Sequence, residues 1–256
     1  MALDSPITEV PQLPSGRLPF LLLLARVVSN PVGSWGRDFY AEPMVVYDDF
    51  GLQTVFVMDP ELIQAVLLDD VESFNKSPTM IACWARGRRG GFDWSAGGGN
   101  AGCLPRCFAP RRWRVAGDRP IGREQIQQLP LVEAIFSEEM RLYPPSLMRR
   151  AITHIEFGGH AIKPGVIIII PIYVVHRHLL WNEPVRFDPA RFSAKAKSRR
   201  HRCAYMPFGA GPRSCIGSTF AMLEGKAMLA MLLASARFEL PEAELPEPLA
   251  RITLRP

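Results

Sequence analysis

The ten residues Phe208-Gly209-Ala210-Gly211-Pro212-Arg213-Ser214-Cys215-Ile216-Gly217 limit what this chain can become more than any other stretch of it. They set one cysteine at the end of a glycine-rich loop, with an arginine two residues before it and a long apolar run, Gly217 to Arg237, directly after. That run predicts a helix. A cysteine just ahead of a helix faces its free N–H groups and the positive end of its dipole, which stabilise an anionic sulfur. The glycines let the backbone come close to a flat partner. The plainer alternative is a buried cysteine in a tight turn ahead of a core helix.

The residue set as a whole suits a thiolate bound to heme iron. Cys215 supplies the sulfur, Arg213 a planar guanidinium for a propionate, and Phe208 a cover that keeps water from the sulfur. The Phe-x-x-Gly-x-Arg-x-Cys-x-Gly string resembles the heme-binding signature of the cytochrome P-450 family and fits every fixed position. Upstream, Glu138-Glu139-Met140-Arg141 resembles the Glu-x-x-Arg motif, followed by Leu142-Tyr143-Pro144-Pro145. Phe187-Asp188-Pro189-Ala190-Arg191-Phe192 resembles the Pro-Glu-Arg-Phe region, with Ala190 where Glu is common. His176-Arg177 is similar to a His-Arg pair of the family, and Arg149 or Arg150 falls where a strand arginine reaches a propionate.

The resemblance implies a mainly α fold with small β-sheets, incomplete in this chain. It implies heme b with Cys215 as axial thiolate and metal ligand, and Phe208, Gly211, Arg213 and Gly217 around the cofactor. Glu138, Arg141 and Arg191 are implied as a structural triad. The implied reaction inserts one oxygen atom from O2 into a small organic substrate, with electrons from a ferredoxin or ferredoxin/reductase-type donor. Glu138 and Arg141 are three apart on one helix face, which as an exposed pair is worth only about 0.2–0.5 kcal/mol. Buried with a second arginine, the same pair costs about 3–5 kcal/mol to break.

Three parts are expected along the chain: an N-terminal sheet and helix part over 1–80, an anomalous junction over 81–114, and a heme-binding part over 115–256. In the first, prolines 6, 11, 14 and 19 make an extended lead-in. Met44–Tyr47 and Thr54–Met58 read as strands of a hairpin, and Asp59-Pro60-Glu61 as a capped helix start. In the third, Leu131–Leu142 reads as an amphipathic helix, His154–Phe157 and Val166–Pro171 as strands, the latter buried on both faces. Residues 82–114 hold three of the five cysteines, three of the five tryptophans, seven glycines and seven arginines without helical or strand period. That composition is what G/C-rich coding DNA gives in a wrong frame; a flexible Gly/Arg linker is the alternative. The family's distal helix and substrate-lid helices find no counterpart here. The rival reading is therefore an inactive remnant, or a heme-binding protein without turnover.

The net charge of +5 suits an acidic partner, but no nucleic-acid-binding pattern is present, so none is expected as a ligand. Lys195, Lys197, Arg199, Arg200 and Arg202 read either as a solvated loop or as a docking patch for an acidic electron donor. Five cysteines in no paired framework indicate a reducing, cytoplasmic setting. The apolar run Leu18–Ala25 is far short of the ~20 residues that span a bilayer, so no membrane anchor is expected.

Overall fold

The computed structural model describes residues 19, 22–23, 35–49, 51–77, 126, 128–144, 147–236, 249–250 and 254–255. Most of the proline lead-in, the 81–114 junction and the end of the 115–256 part lie outside the described residues.

Helix α1 (Arg37–Ala41) leads into strands β1 (Met44–Asp49) and β2 (Leu52–Val57), an antiparallel hairpin that pairs Val45 with Phe56. Helix α2 (Pro60–Gln64) starts where the sequence indicates: the Asp59 carboxylate accepts the Glu61 and Leu62 amides at 2.8 and 3.1 Å. It runs on without a break into a π-helical turn, Ala65–Asp69, which sequence periodicity does not disclose. Strand β3 (Phe74–Lys76) follows. After the undescribed stretch come helix α3 (Pro130–Leu142) and strands β4 (Leu147–Ala151), β5 (Ile155–Phe157), β6 (His160–Ile162) and β7 (Ile167–Ile170). Helices α4 (Ile172–Val175), α5 (Ala194–Ser198) and α6 (Ser218–Ser235) follow, and β8 (Leu249–Ala250) pairs with β9 (Leu254–Arg255).

The main sheet has the order β1-β2-β7-β4-β3. β7 pairs parallel with β2 (Val55 opposite Ile168) and antiparallel with β4 (Leu147 opposite Ile170). Strands from both sides of the 81–114 stretch thus share one ladder. Val55, Phe56, Val57, Ile168 and Ile170 are at most 1% exposed and join Ile63, Val66 and Phe74 in the larger core. β7 was expected to be buried on both faces, but Ile167 and Ile169 are only half-buried while Ile168 and Ile170 are fully buried. One face of the sheet carries the core and the other is less covered.

A second core joins α3 to α6 through Leu129, Val132, Ile135, Leu229 and Ala230. The two helices approach closely because Gly225 lacks a side chain: a Cβ there would lie 2.4 Å from the Phe136 ring. α6 is apolar on nearly all sides, yet only one side of it packs, leaving Phe220, Met228 and Met231 exposed. No helix among the described residues is long and apolar enough to cross a membrane.

Truncating the central β7 contact should be costly. Ile168→Ala is expected to lower the unfolding free energy by about 2–5 kcal/mol in urea titration, because the site is fully buried and cannot collapse freely.

Candidate functional site

Helix α3 turns Glu138 and Arg141 toward the protein interior, where both are fully buried. The Arg141 guanidinium grips the carboxylate with two bonds, Nε to Oε2 at 2.7 Å and Nη2 to Oε1 at 2.8 Å. Its remaining donors reach backbone: Nη1 to the carbonyls of His176 and Pro184, each at 2.7 Å, and Nη2 to that of Arg186 at 3.2 Å. Asp188 N–H adds a bond to Glu138 Oε1 at 2.9 Å. Arg191 also approaches Glu138, at 3.4 Å, but this contact is an ion pair without hydrogen-bond geometry. Arg191 instead donates to the carbonyls of Glu183 (2.8 Å) and Asn182. Glu138, Arg141 and Arg191 are thus together, with unequal bonds. One buried carboxylate faces two guanidiniums, and the surplus charge is satisfied by backbone carbonyls.

His176 extends this network toward the cysteine loop. The Met206 amide donates to its Nε2 at 3.1 Å, so the ring proton sits on Nδ1 and is donated to the Arg141 carbonyl at 3.1 Å. Burial, and then the Arg141 charge, hold its pKa well below the ordinary histidine value. His176 therefore stays neutral and ties α3 to the segment that enters the loop. Among the described residues no cluster of His, Cys, Asp and Glu suits a metal ion.

The loop closes on itself: Cys215 N–H donates to the Phe208 carbonyl at 2.9 Å and Ser214 N–H to that of Gly211 at 3.0 Å. Gly217 caps α6, and Cys215 lies two residues before that cap. The thiol is exposed and Phe208 is partly exposed. Cys203, by contrast, is buried, and burial pushes its thiol up.

Arg213 donates to the Phe74 carbonyl, holding the loop to β3. Its charge also falls on Arg149 of β4, which is 3% exposed. Burial first, and Arg213 second, bring the Arg149 guanidinium down to about 10. Arg149 thus feels the Arg213 charge, and among the described residues no carboxylate forms an ion pair with either. Arg150, the alternative strand arginine, has a buried Nε without a hydrogen-bond partner.

The basic run divides. Lys195, Lys197, Arg199 and Arg202 are exposed on and after α5. Arg200 is instead half-buried over the rings of Trp181 (4.4 Å) and Phe192 (4.8 Å) and donates to the Arg191 carbonyl. Its role is packing, which the charge pattern alone could not separate from its neighbours. The aromatic spacing Trp181, Phe192, Tyr205 was the available signal.

The cytochrome P450 family model matches residues 113–256. A cytokinin hydroxylase of Arabidopsis thaliana is 40% identical over 138 residues, which are 52% of this chain and 26% of that protein. Cytochrome P450 4B1 of Homo sapiens is 36% identical over 146 residues, 55% of this chain and 29% of that protein. The solved heme domain of cytochrome P450DA is similar in structure with a TM-score of 0.53 and 28% identity, covering 56% of this chain and 32% of that domain. The chain thus matches little more than a quarter of the length of these curated relatives.

His176 makes a pH prediction. Unfolded histidine titrates near ~6.5, and the folded value lies well below that. Between the two, the unfolded chain binds a proton that the fold refuses. The His176 contribution is complete above pH ~6.5 and is lost as pH falls toward the folded pKa. Urea unfolding free energies should therefore fall on acidification by up to ~1.4 kcal/mol per pH unit more steeply in the wild type than in His176→Asn. His178, whose pKa burial also lowers, acts in both proteins and cancels in the comparison.

Proposed function

Because the chain belongs to the cytochrome P450 family, we propose that Cys215 is the axial thiolate of a heme b and that this fold is the ligand side of a monooxygenase acting on an organic substrate. Members of the family are heme-thiolate enzymes, and the residues present here fit that group. The observation that carries the reading is the closed cysteine loop at the head of α6, with Cys215 N–H bonded to the Phe208 carbonyl and the thiol exposed, and with Arg213 of the same loop held to Phe74. Arg149, 3% exposed on β4, and Arg213 of the loop are two guanidiniums with no carboxylate paired to them among the described residues, which suits the two carboxylates of a heme edge. The exposed Cys215 thiol at the head of α6 suits an anionic sulfur.

Bound there, the heme supplies redox and oxygen chemistry, favoured by electron donation from the thiolate. The chain's own residues hold and orient. The Phe208–Cys215 hydrogen bond fixes the reach of the sulfur. Gly217 stands beside it, where a Cβ would lie 3.8 Å from Sγ. Phe208 is the residue that would cover the heme-bound sulfur, Gly211 sets the loop against the fold beneath, and Arg149 and Arg213 would hold the acidic edge. Glu138, Arg141 and Arg191 fix the path of the chain entering the loop.

The electron donor is read as an acidic protein of ferredoxin type, meeting the exposed Lys195, Lys197, Arg199 and Arg202. Charge there raises the association rate more than the affinity.

Reconstituting the chain with heme, reducing it and adding carbon monoxide tests the ligand assignment. The expected result is the red-shifted Soret band of thiolate ligation, lost in Cys215→Ala. A thiolate-type band that survives Cys215→Ala, or no heme uptake at all, would contradict it.

A further inference from the structure

The family match begins at residue 113, yet the surface on which the cysteine loop rests comes from well before it. The π-helical turn Ala65–Asp69 lies directly under the Gly211–Arg213 turn of the loop. Gly211 has φ +75°, and a Cβ there would lie 2.0 Å from the Leu67 carbonyl oxygen and 3.1 Å from its carbon. Both are backbone atoms, so no rotamer change relieves the overlap. The turn beneath is firmly held. Val66 and Leu67 are 1% and 3% exposed in the main core, and Asp70 N–H donates to the Ala65 carbonyl at 2.9 Å.

Polar braces join the two sides. Arg202 donates to Gln64 at 3.3 Å and pairs with Asp69 at 4.0 Å, while Gln64 donates to Asp69 at 3.2 Å. Arg213 reaches the Phe74 carbonyl on the next strand. Gly211 is only four residues from Cys215, and the bonds from Ser214 to Gly211 and from Cys215 to Phe208 make the loop a closed unit. A displacement at Gly211 therefore has no slack in which to disappear before the sulfur.

We propose that the π-helical turn Ala65–Asp69 is a positioning element for Cys215, with the Leu67 carbonyl as the stop against which the Gly211 backbone seats. π-helical turns inside α-helices are often found at functional sites; here the turn sets where the thiol points. The thiol arm of the test stands without any cofactor, while the spectroscopic arm rests on the heme-thiolate reading.

The test follows alkylation of Cys215 by iodoacetamide in the full chain, by mass spectrometry of the Cys215 peptide, beside the thermal midpoint. Gly211→Ala is compared with two controls. Gly159→Ala places a Cβ at φ +77° with nothing within 4 Å, which isolates backbone strain. Ile63→Ala removes a fully buried core side chain one turn earlier. The expected result is a severalfold change in Cys215 alkylation in Gly211→Ala alone, though all three lower the midpoint. In heme-loaded protein, Gly211→Ala should also lose the thiolate-type carbon monoxide spectrum while the controls keep it.

A wild-type alkylation rate in a folded Gly211→Ala would overturn the proposal. Should Gly211→Ala not fold, Arg202→Ala removes an exposed brace instead; faster alkylation there supports the proposal and a wild-type rate overturns it. A positive thiol arm with no heme uptake in any variant sinks the heme reading and leaves the positioning role standing.

Discussion

The carboxylate of Glu138 is the point from which the order of the C-terminal part extends. A fully buried carboxylate is expensive unless every lone pair is met. Here Arg141 meets it twice, the Asp188 amide once, and Arg191 adds charge at longer range. Arg141 in turn spends its other donors on carbonyls of His176, Pro184 and Arg186. The irregular chain between α4 and α5 has no ladder of its own, so these bonds stand in for secondary structure and fix its path.

From that path the cysteine loop receives its position. His176 relays from the Arg141 carbonyl to the Met206 amide, just ahead of Phe208. Trp181, Phe192 and Tyr205 close around Arg200 and fill the space beside the network. The loop is then seated from below by the turn over 65–69 and from the side by Phe74. Three supports from separate parts of the chain converge on one thiol. A single support would leave the sulfur free to swing, and binding to a rigid flat cofactor tolerates little of that.

Local signals were legible because local physics makes them. The Asp59-Pro60 helix start, the β1–β2 hairpin, α3 and α6 all follow from caps, turns and periodicity within a few residues. Spacing alone put Glu138 beside Arg141. Other features depend on distant chain and leave no local mark. Parallel pairing of β2 with β7 joins residues over a hundred apart, and strand period gives a face but not a neighbour. That Arg149 is the buried member of the Arg149–Arg150 pair depends on the pleat of β4, which the sequence does not show. Arg200 reads like its charged neighbours until its aromatic surroundings are known. The exposed side of α6 follows the same logic: an apolar helix announces burial, but what covers it is a matter of the other elements of the fold.

The Glu138 network holds the entry to the cysteine loop in shape independently of the β7 ladder, while the 65–69 turn and Phe74 seat the loop itself. Residue-resolved hydrogen exchange on Glu138→Gln tests it most directly, under conditions where the variant stays folded. The amides of Asp188, Met206 and Cys215 should lose protection early, with the β7 amides still protected. Unchanged protection at Met206 and Cys215 in that variant would contradict it.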